Sequence, residues 1–168
     1  MARYVIDPAR SRVWIDARSN VHPIHSSAEG LEGFVDFDAD RDGQVGAHPA
    51  GRLSFPVRQL SSGNPLERRE LQRRIEARHY PTIEGVLRAM DALDDGSLLM
   101  RGDLSFRGVT RSVDGKMAMS AVDDRTIRLE GASKFNIRDF GMEPPRILML
   151  RVEPEVNVRV EIVAEREA

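Results

Sequence analysis

The stretch GDLSFRGVTRSV, Gly102–Val113, carries the pattern that decides the fold. Leu104 and Phe106 are apolar and their neighbours are polar, which is typical of a strand with one buried face. The residues RGVTR then interrupt this alternation. Because a single strand of this length would be unusual, the glycine between polar residues predicts a bend or turn. Gly102, Leu104 and Phe106 are therefore expected to face inward, and Asp103, Ser105 and Arg107 to face water.

The same period-two alternation recurs in about eight stretches, joined mostly by short turns rich in Gly, Asp and Asn. This pattern predicts antiparallel strands with one wet face. DDGS at Asp94–Ser97 and DDRT at Asp123–Thr126 are typical of hairpin turns. These features indicate an all-β protein, either an up-and-down barrel or a sandwich, with a single domain over residues 1–168.

One segment breaks this rhythm, because Asn64-Pro65 is followed by LERRELQRRIEARHYP. Asn64 suits the N-cap of a helix, Pro65 suits its first position, and Glu67 is placed to complete a capping box. We expect a helix from Pro65 to Ala77 that plugs one end of a barrel. Two apolar residues four positions apart would face the body of the protein, namely Leu71 and Ile75.

Length, charge and composition restrict the function. The chain has 168 residues, a net charge of -2 and no cysteine, which argues against a basic nucleic-acid surface and excludes disulfides and thiolate chemistry. No apolar run approaches the roughly 20 residues of a membrane-spanning helix. The start, MARYVIDPARSRVW, lacks the apolar run of a secretory signal. We expect a cytoplasmic protein without a nucleic-acid partner or an integral membrane segment. The sequence does not decide whether it forms a homodimer.

The sequence contains no nucleophile elbow, phosphate-binding loop or dinucleotide fingerprint. His22 and His25 could form half of a metal site, but no further ligands complete it, so we expect neither a bound metal nor a cofactor. Instead we expect these two histidines to border a loop at a barrel end, His79 to be structural and His48 to be incidental. The arginines of the helix region alternate with glutamates, which favours an ion-paired, solvated face over a diphosphate or carboxylate site.

Several glycines stand in phase with the apolar residues of their own strands: Gly33, Gly85, Gly102, Gly115 and Gly131. Glycine weakens a strand, so this placement needs a reason. One reason is curvature, because glycine lets a closed sheet bend at its corners. Another is volume, because an inward glycine leaves space and an eight-stranded barrel is just wide enough for one ligand. The sequence does not decide between curvature and cavity volume, and it is also compatible with a barrel filled by its own side chains.

Five motifs in order resemble the YceI-like family of polyisoprenoid-binding proteins. They are Tyr4–Pro8 followed by Ser11 and Val13, Gly30–Phe34, Leu71 through Tyr80-Pro81-Thr82-Ile83, Gly102–Val113, and Ile137–Gly141. The resemblance covers nearly the whole chain. It implies an extended, antiparallel, eight-stranded, lipocalin-like β-barrel with the helix near one barrel end. It also implies that the barrel binds a long isoprenoid lipid, such as a polyprenyl diphosphate or a quinone, without catalytic residues.

We therefore expect a carrier or storage protein for a long apolar lipid, and not an enzyme. The expected ligand contacts are inward-facing residues of the strands: Val13, Ile15, Gly33, Val35, Phe37, Phe55, Leu87, Met100, Gly102, Leu104, Phe106, Met117, Met119, Leu129, Phe135 and Val158. One alternative is an enzyme, such as an isomerase or cyclase, that uses the same cavity for a hydrophobic substrate. The other is a scaffold protein whose barrel is filled with side chains.

Overall fold

The alternating stretches form the strands of a barrel in the computed structural model, which describes residues 2–37 and 49–168. These ranges contain one α-helix, α1 (Pro65–Ile75), and two short 3-10 helices, Val57–Gln59 and Ile137–Phe140. The strands are β1 (Ala2–Ile6), β2 (Arg12–Ser19), β3 (Ile24–Ala28), β4 (Glu32–Phe37), β5 (Ala50–Pro56), β6 (Thr82–Ala92), β7 (Leu98–Phe106), β8 (Val109–Ala121), β9 (Thr126–Asn136), β10 (Arg146–Ile147) and β11 (Leu150–Arg166).

Eight of these strands close into an antiparallel barrel, in the order β1, β4, β5, β6, β7, β8, β9 and β11, and β1 pairs with β11 to complete the ring. The 17-residue strand β11 pairs with β9 along one edge. Along its other edge, β11 pairs with β1 near its C-terminal end and with β2 near its N-terminal end. The short strands β3 and β10 pair with β2 and β11. The expected eight-stranded barrel with one helix is confirmed.

The stretch around Gly108 forms the β7–β8 hairpin, with Phe106 opposite Val109. Arg107 and Gly108 have φ angles of 54° and 74°, the left-handed values that a two-residue hairpin turn of type I′ requires. A side chain at Gly108 would also lie only 2.6 Å from the Tyr80 ring. The expected turn is confirmed. The expectation that Arg107 faces water is wrong, because its side chain is 27% exposed and binds other elements.

Helix α1 begins as the sequence predicts, with the Asn64 side chain accepting hydrogen bonds from the backbone N–H groups of Leu66 (3.0 Å) and Glu67 (3.3 Å). The predicted capping box does not form, because the Glu67 carboxylate accepts a hydrogen bond from the Ser62 hydroxyl instead of from the Asn64 N–H, at 2.6 Å. The helix ends at Ile75 and not at Ala77. Glu76 adopts a left-handed φ of 58°, and its N–H bonds back to the Arg73 carbonyl, which closes the helix.

The two ends of the barrel differ. At one end, the termini of β4, β6, β7, β9 and β11 bring together side chains that are at most 8% exposed, and we call this the filled end: Phe37, Met90, Leu98, Ile127 and Ala164. Helix α1 covers the opposite end, where the β7–β8 turn contacts it. Within the described residues, no helix is long and apolar enough to cross a membrane.

Candidate functional site

Between the filled end and α1 the barrel is hollow. The cavity has a volume of about 410 Å³, which lies in the range of small-molecule binding pockets. The inward-facing β7 residues Met100, Gly102, Leu104 and Phe106 line it, and at about 3.3 Å per residue this wall is roughly 20 Å long. Inward-facing residues that would be fully buried in a solid core are only partly buried here, among them Leu53, Leu87 and Leu104. We call this part of the barrel the hollow section.

Most of the residues that the sequence assigned to ligand contact line the cavity. These are Val13, Ile15, Val35, Phe55, Leu87, Met100, Gly102, Leu104, Phe106, Met117, Leu129, Phe135 and Val158. The strand alternation that predicted their inward direction therefore also brings them to one surface. That these residues bind a ligand stays a prediction.

Three of the assigned residues lie elsewhere. Phe37 belongs to the filled end, is 3% exposed and stacks on the Tyr4 ring with centroids 5.1 Å apart. Met119 is partly buried against the core beyond the cavity. Gly33 lies so close to β5 that a Cβ atom would overlap the Arg52 carbonyl. Alternation predicts the face on which a residue lies, but not its position along the barrel axis. Phe37 and Met119 face inward beyond the cavity, and Gly33 packs against the neighbouring strand.

The inward glycines divide between the two explanations that the sequence left open. Gly33 and Gly102 allow backbones to approach, because a Cβ atom at Gly102 would overlap the Val86 carbonyl beside the bulge of β6. Gly131 makes room for the Met117 side chain. Gly85 and Gly115 face open space, with no atom within 4 Å of an added Cβ among the described residues. Curvature and close packing therefore account for three of these glycines, and cavity volume for two.

The helix end of the cavity is closed by segments outside the strands. Leu71 and Ile75 of α1 line the cavity, as their spacing predicted for a face toward the body. The segment after β9 contributes Ile137, Phe140, Met142 and Pro145, which the sequence did not assign to the site. Phe140 meets Phe106 edge to face, with ring centroids 5.7 Å apart. No periodicity marks this irregular segment, and only its RDFG motif drew attention to it.

Arg107 joins the segments that cover this end. Its guanidinium donates to the carbonyl of Arg74 near the end of α1 (3.0 Å) and to the carbonyl of Gly141 (2.6 Å). It also forms an ion pair with the Glu76 carboxylate at 2.9 Å. One side chain therefore ties the β7–β8 turn to both parts of the cover. The turn conformation at Arg107 sets this direction, because a strand residue in the same phase would point to water.

Charged side chains lie at the edges of the cavity. Outward-facing Arg52 and Asp103 bind partners on the outer surface, Glu84 and Arg88, each at 2.9 Å. At α1, Glu67 bonds to Ser62, and Arg68 donates to the Arg58 carbonyl at 2.8 Å. Among the described residues, the inward-facing strand side chains that line the cavity are apolar apart from Ser26 and Ser133. The cavity is thus suited to an apolar molecule.

A second cavity, of about 570 Å³, lies outside this wall where β8 and β9 part. The two strands are paired from Lys116 to Ala121, and the Ser133 hydroxyl then reaches the Asp114 carbonyl at 3.4 Å. Gly102, Val113 and Phe135 line both cavities. The rim of the second cavity carries charges of both signs, so it is a polar cleft in the barrel wall.

The two N-terminal histidines lie at the β2–β3 hairpin, at a barrel end as expected, with His22 in the turn and His25 in β3. His22 Nδ1 is 2.9 Å from the Pro23 carbonyl oxygen, and His25 Nδ1 is 2.6 Å from the Asp16 carboxylate. In residues 2–37 and 49–168, no three His, Cys, Asp or Glu side chains gather as a metal site would require. His79 is exposed, with its ring 6.4 Å from that of Tyr80. His48 lies outside the described residues.

A family model describes this architecture. The YceI-like domain matches residues 4–164, which is nearly the whole chain. The chain belongs to the YceI-like family. The motifs that suggested this membership fall at β1 and the start of β2, at the start of β4, between α1 and β6, at the β7–β8 hairpin and in the segment over the cavity. No curated protein sequence matches the chain.

Solved structures agree with YceI-like membership at the level of the fold. BcnA of Burkholderia cenocepacia is 17% identical, with a TM-score of 0.82 over 95% of this chain and 99% of that one. A polyisoprenoid binding domain from Saccharophagus degradans, implicated in plant cell wall breakdown, is 12% identical, with a TM-score of 0.74 over 98% of both chains. The YceI protein of Campylobacter jejuni is 16% identical, with a TM-score of 0.69 over 85% of both chains.

Proposed function

We propose that this YceI-like barrel binds one long apolar lipid of the polyisoprenoid class in the hollow section, as a carrier or a store. The observation that carries the proposal is the apolar cavity onto which Gly85 and Gly115 open. A chain that only needed a stable barrel would gain by placing larger side chains at these two positions, because burial of apolar area stabilises a fold. Leaving them empty makes sense if another apolar molecule fills the space.

The shape and chemistry of the cavity favour a linear hydrocarbon. The β7 wall is roughly 20 Å long at about 3.3 Å per residue, and its lining offers methyl, methylene and aromatic groups along that length. Met100 and Met117 add flexible, polarisable surface that adapts to a ligand of irregular outline. The polyisoprenoid binding domain with the same fold supports the choice of lipid class. The apolar strand lining favours binding over chemistry, since a general acid or base needs a titratable group within reach of the ligand.

The test uses lipid-free protein and a fluorescent polyprenyl analogue, after native mass spectrometry and lipid extraction of the freshly purified protein. Gly115→Leu should remain folded, because its side chain enters open space, and should weaken analogue binding by about tenfold or more. Gly115→Ala is the matched control and should bind nearly as well as the parent protein. Absence of analogue binding by the parent protein, or equal binding by Gly115→Leu, would refute the proposal.

A further inference from the structure

The most exposed large apolar side chains of the described residues lie together on two adjoining turns. Leu148 and Met149, at the tip of the β10–β11 hairpin, are 96% and 83% exposed, and Val21, in the β2–β3 turn, is 62% exposed. We call these three residues the apolar tip. Single exposed apolar residues are ordinary on a protein surface, but a cluster of this kind indicates a site of contact.

Hydrogen bonds hold the two turns of the apolar tip together. The Asn20 side chain donates to the Met149 carbonyl at 3.0 Å and accepts from the Arg151 N–H at 2.6 Å. The Asn20 N–H also donates to the Arg151 carbonyl at 3.2 Å. Ser19 shapes its own turn, because its hydroxyl oxygen accepts from the N–H groups of Val21 and His22. The tip is thus a formed surface whose two turns have a defined spacing.

Two features of the β10–β11 hairpin sequence destabilise the fold. Leu148 has a left-handed φ of 54°, a conformation that Gly and Asn adopt readily and that costs a branched apolar residue energy. Arg146 stands directly opposite Arg151 across the hairpin, and like charges in such a pair repel each other. Neither choice is explained by burial, since Leu148 is almost fully exposed.

The charges around the tip select the partner. Arg18, Arg146 and Arg151 are exposed, and they form no ion pair within the part of the chain that the structure describes. Three acidic residues also lie near the hairpin in sequence: Glu143, within 4.0 Å of Arg138, and the exposed Glu153 and Glu155. Apolar side chains that project between arginines match the interface of a bilayer that contains anionic phospholipids.

The hairpin is rooted in the cavity wall. Pro145 and Val152, which precede and follow it, both line the cavity and are joined by a hydrogen bond from the Val152 N–H to the Pro145 carbonyl at 3.2 Å. The tip therefore projects from the same end of the barrel as the cover formed by α1 and the segment after β9.

We propose that the apolar tip, with Arg18, Arg146 and Arg151, docks this protein on the surface of a bilayer that contains anionic phospholipids. The tip enters the interfacial layer, and the arginines bind the headgroups. Docking brings the helix end of the cavity to the lipid surface, where an apolar cargo enters or leaves. The role in cargo transfer rests on the proposed lipid binding, whereas docking itself does not.

The central experiment is flotation of lipid-free protein with two kinds of vesicle, one of equimolar phosphatidylcholine and phosphatidylglycerol and one of phosphatidylcholine alone. We expect binding to the anionic vesicles that weakens with added salt. Replacing Leu148 by Asn and Met149 by Gly together should reduce this binding about tenfold or more. Asn suits the left-handed φ of Leu148, which offsets the freedom that Gly at 149 adds to the unfolded chain, so Tm should stay close to that of the parent protein and unfolding is excluded as the cause of lost binding.

Three further variants complete the design. Arg146→Ala should weaken binding to anionic vesicles and reduce its dependence on salt. Val122→Ser, at the β8–β9 turn near the filled end, changes a 48% exposed apolar residue far from the tip and should bind as the parent protein does. Gly115→Leu, which blocks the cavity, should still bind vesicles. If the parent protein binds the analogue in solution but does not bind vesicles, only the docking proposal is refuted. If it binds vesicles but not the analogue, only the proposed lipid-binding function is refuted.

Three outcomes would overturn docking. The first is that the parent protein floats with neither vesicle, and the second is that the Leu148→Asn, Met149→Gly variant floats as well as the parent protein. The third is a dimer in sedimentation equilibrium that this variant converts to a monomer, without vesicle binding by either form. The latter result would assign the apolar tip to contact between two copies of the chain.

Discussion

The filled end and the hollow section are built from the same strands, yet one is a core and the other a cavity. Strand β7 passes through both: Leu98 is 3% exposed in the filled end, whereas Leu104 is partly buried on the cavity wall. The difference lies in the residues across the barrel. Inward positions in the filled end carry large side chains such as Met90 and Phe37, whereas in the hollow section they include Gly85, opposite Leu104, and Gly115, opposite Met100. Alternation alone therefore does not separate a core from a binding wall.

The sharpest test of this comparison places one substitution in each region of the same strand. Leu98→Ala should lower the free energy of unfolding by about 2–5 kcal/mol, because it leaves a new void in a packed core. Leu104→Ala should cost only about 1–2 kcal/mol in lipid-free protein, because this side chain already borders empty space. Denaturant titration of both variants measures the difference. Equal losses would mean that the hollow section is packed in solution.

These two regions also mark the limit of what the sequence predicts. The strands, the N-cap at Asn64 and the turn at Gly108 follow from local rules, because periodicity and turn chemistry depend on neighbours in the chain. The cavity does not, since Gly102 and Gly115 look alike in sequence although one faces a carbonyl and the other open space. The early end of α1 depends on the left-handed Glu76, and the role of Arg107 depends on the turn that directs it. Both require three-dimensional partners.

The glycines offer a second test of intermediate size. Gly102→Ala should cost about 1–3 kcal/mol, because its Cβ atom overlaps the Val86 carbonyl and the strands must move apart. Gly115→Ala should leave stability unchanged or raise it by up to about 1 kcal/mol, because it restricts the unfolded chain without a clash in the folded one. Thermal unfolding of lipid-free protein compares the two variants. A loss at Gly115 as large as at Gly102 would contradict the open space assigned to Gly115.

The cover of the hollow section provides a third test, which separates local from global stability. Arg107→Asn removes the bonds to Arg74, Glu76 and Gly141 but suits the left-handed turn, so we expect a global loss of only about 1 kcal/mol. Amide hydrogen exchange should accelerate in α1 and in the segment after β9, while strands at the filled end keep their protection. Gly96→Ala, at the left-handed turn of the filled end, is a control that should not alter exchange in α1. Uniform acceleration across the barrel would show that Arg107 supports the whole fold and not the cover.

The smallest expected effect lies on the outer surface of the filled end, at the β6–β7 turn. Asp95 accepts hydrogen bonds there from Lys116 of β8 and from the hydroxyl and N–H of Ser97. The hydrogen bond from Lys116, followed by those from Ser97, holds the pKa of the Asp95 carboxyl well below its ordinary value of 3.8. The folded pKa is thus below the unfolded one, so this interaction stabilises the protein above about pH 4 and is lost as the pH falls through the folded value.

Lys116→Met should raise the pKa of Asp95 toward its ordinary value without reaching it, because the Ser97 groups remain. An NMR titration of the Asp95 carboxyl in both proteins measures this shift directly. The denaturation midpoint at neutral pH should change barely, since the two side chains are 58% and 53% exposed and water screens their attraction. Between about pH 5 and the acid limit the parent protein should lose slightly more stability than the variant, because only the parent protein has the full interaction to lose. If Lys116→Met destabilised the protein as much as Leu98→Ala does, a surface contact would matter as much as the packing of the filled end. The contrast between core and cavity would then not explain where this barrel derives its stability.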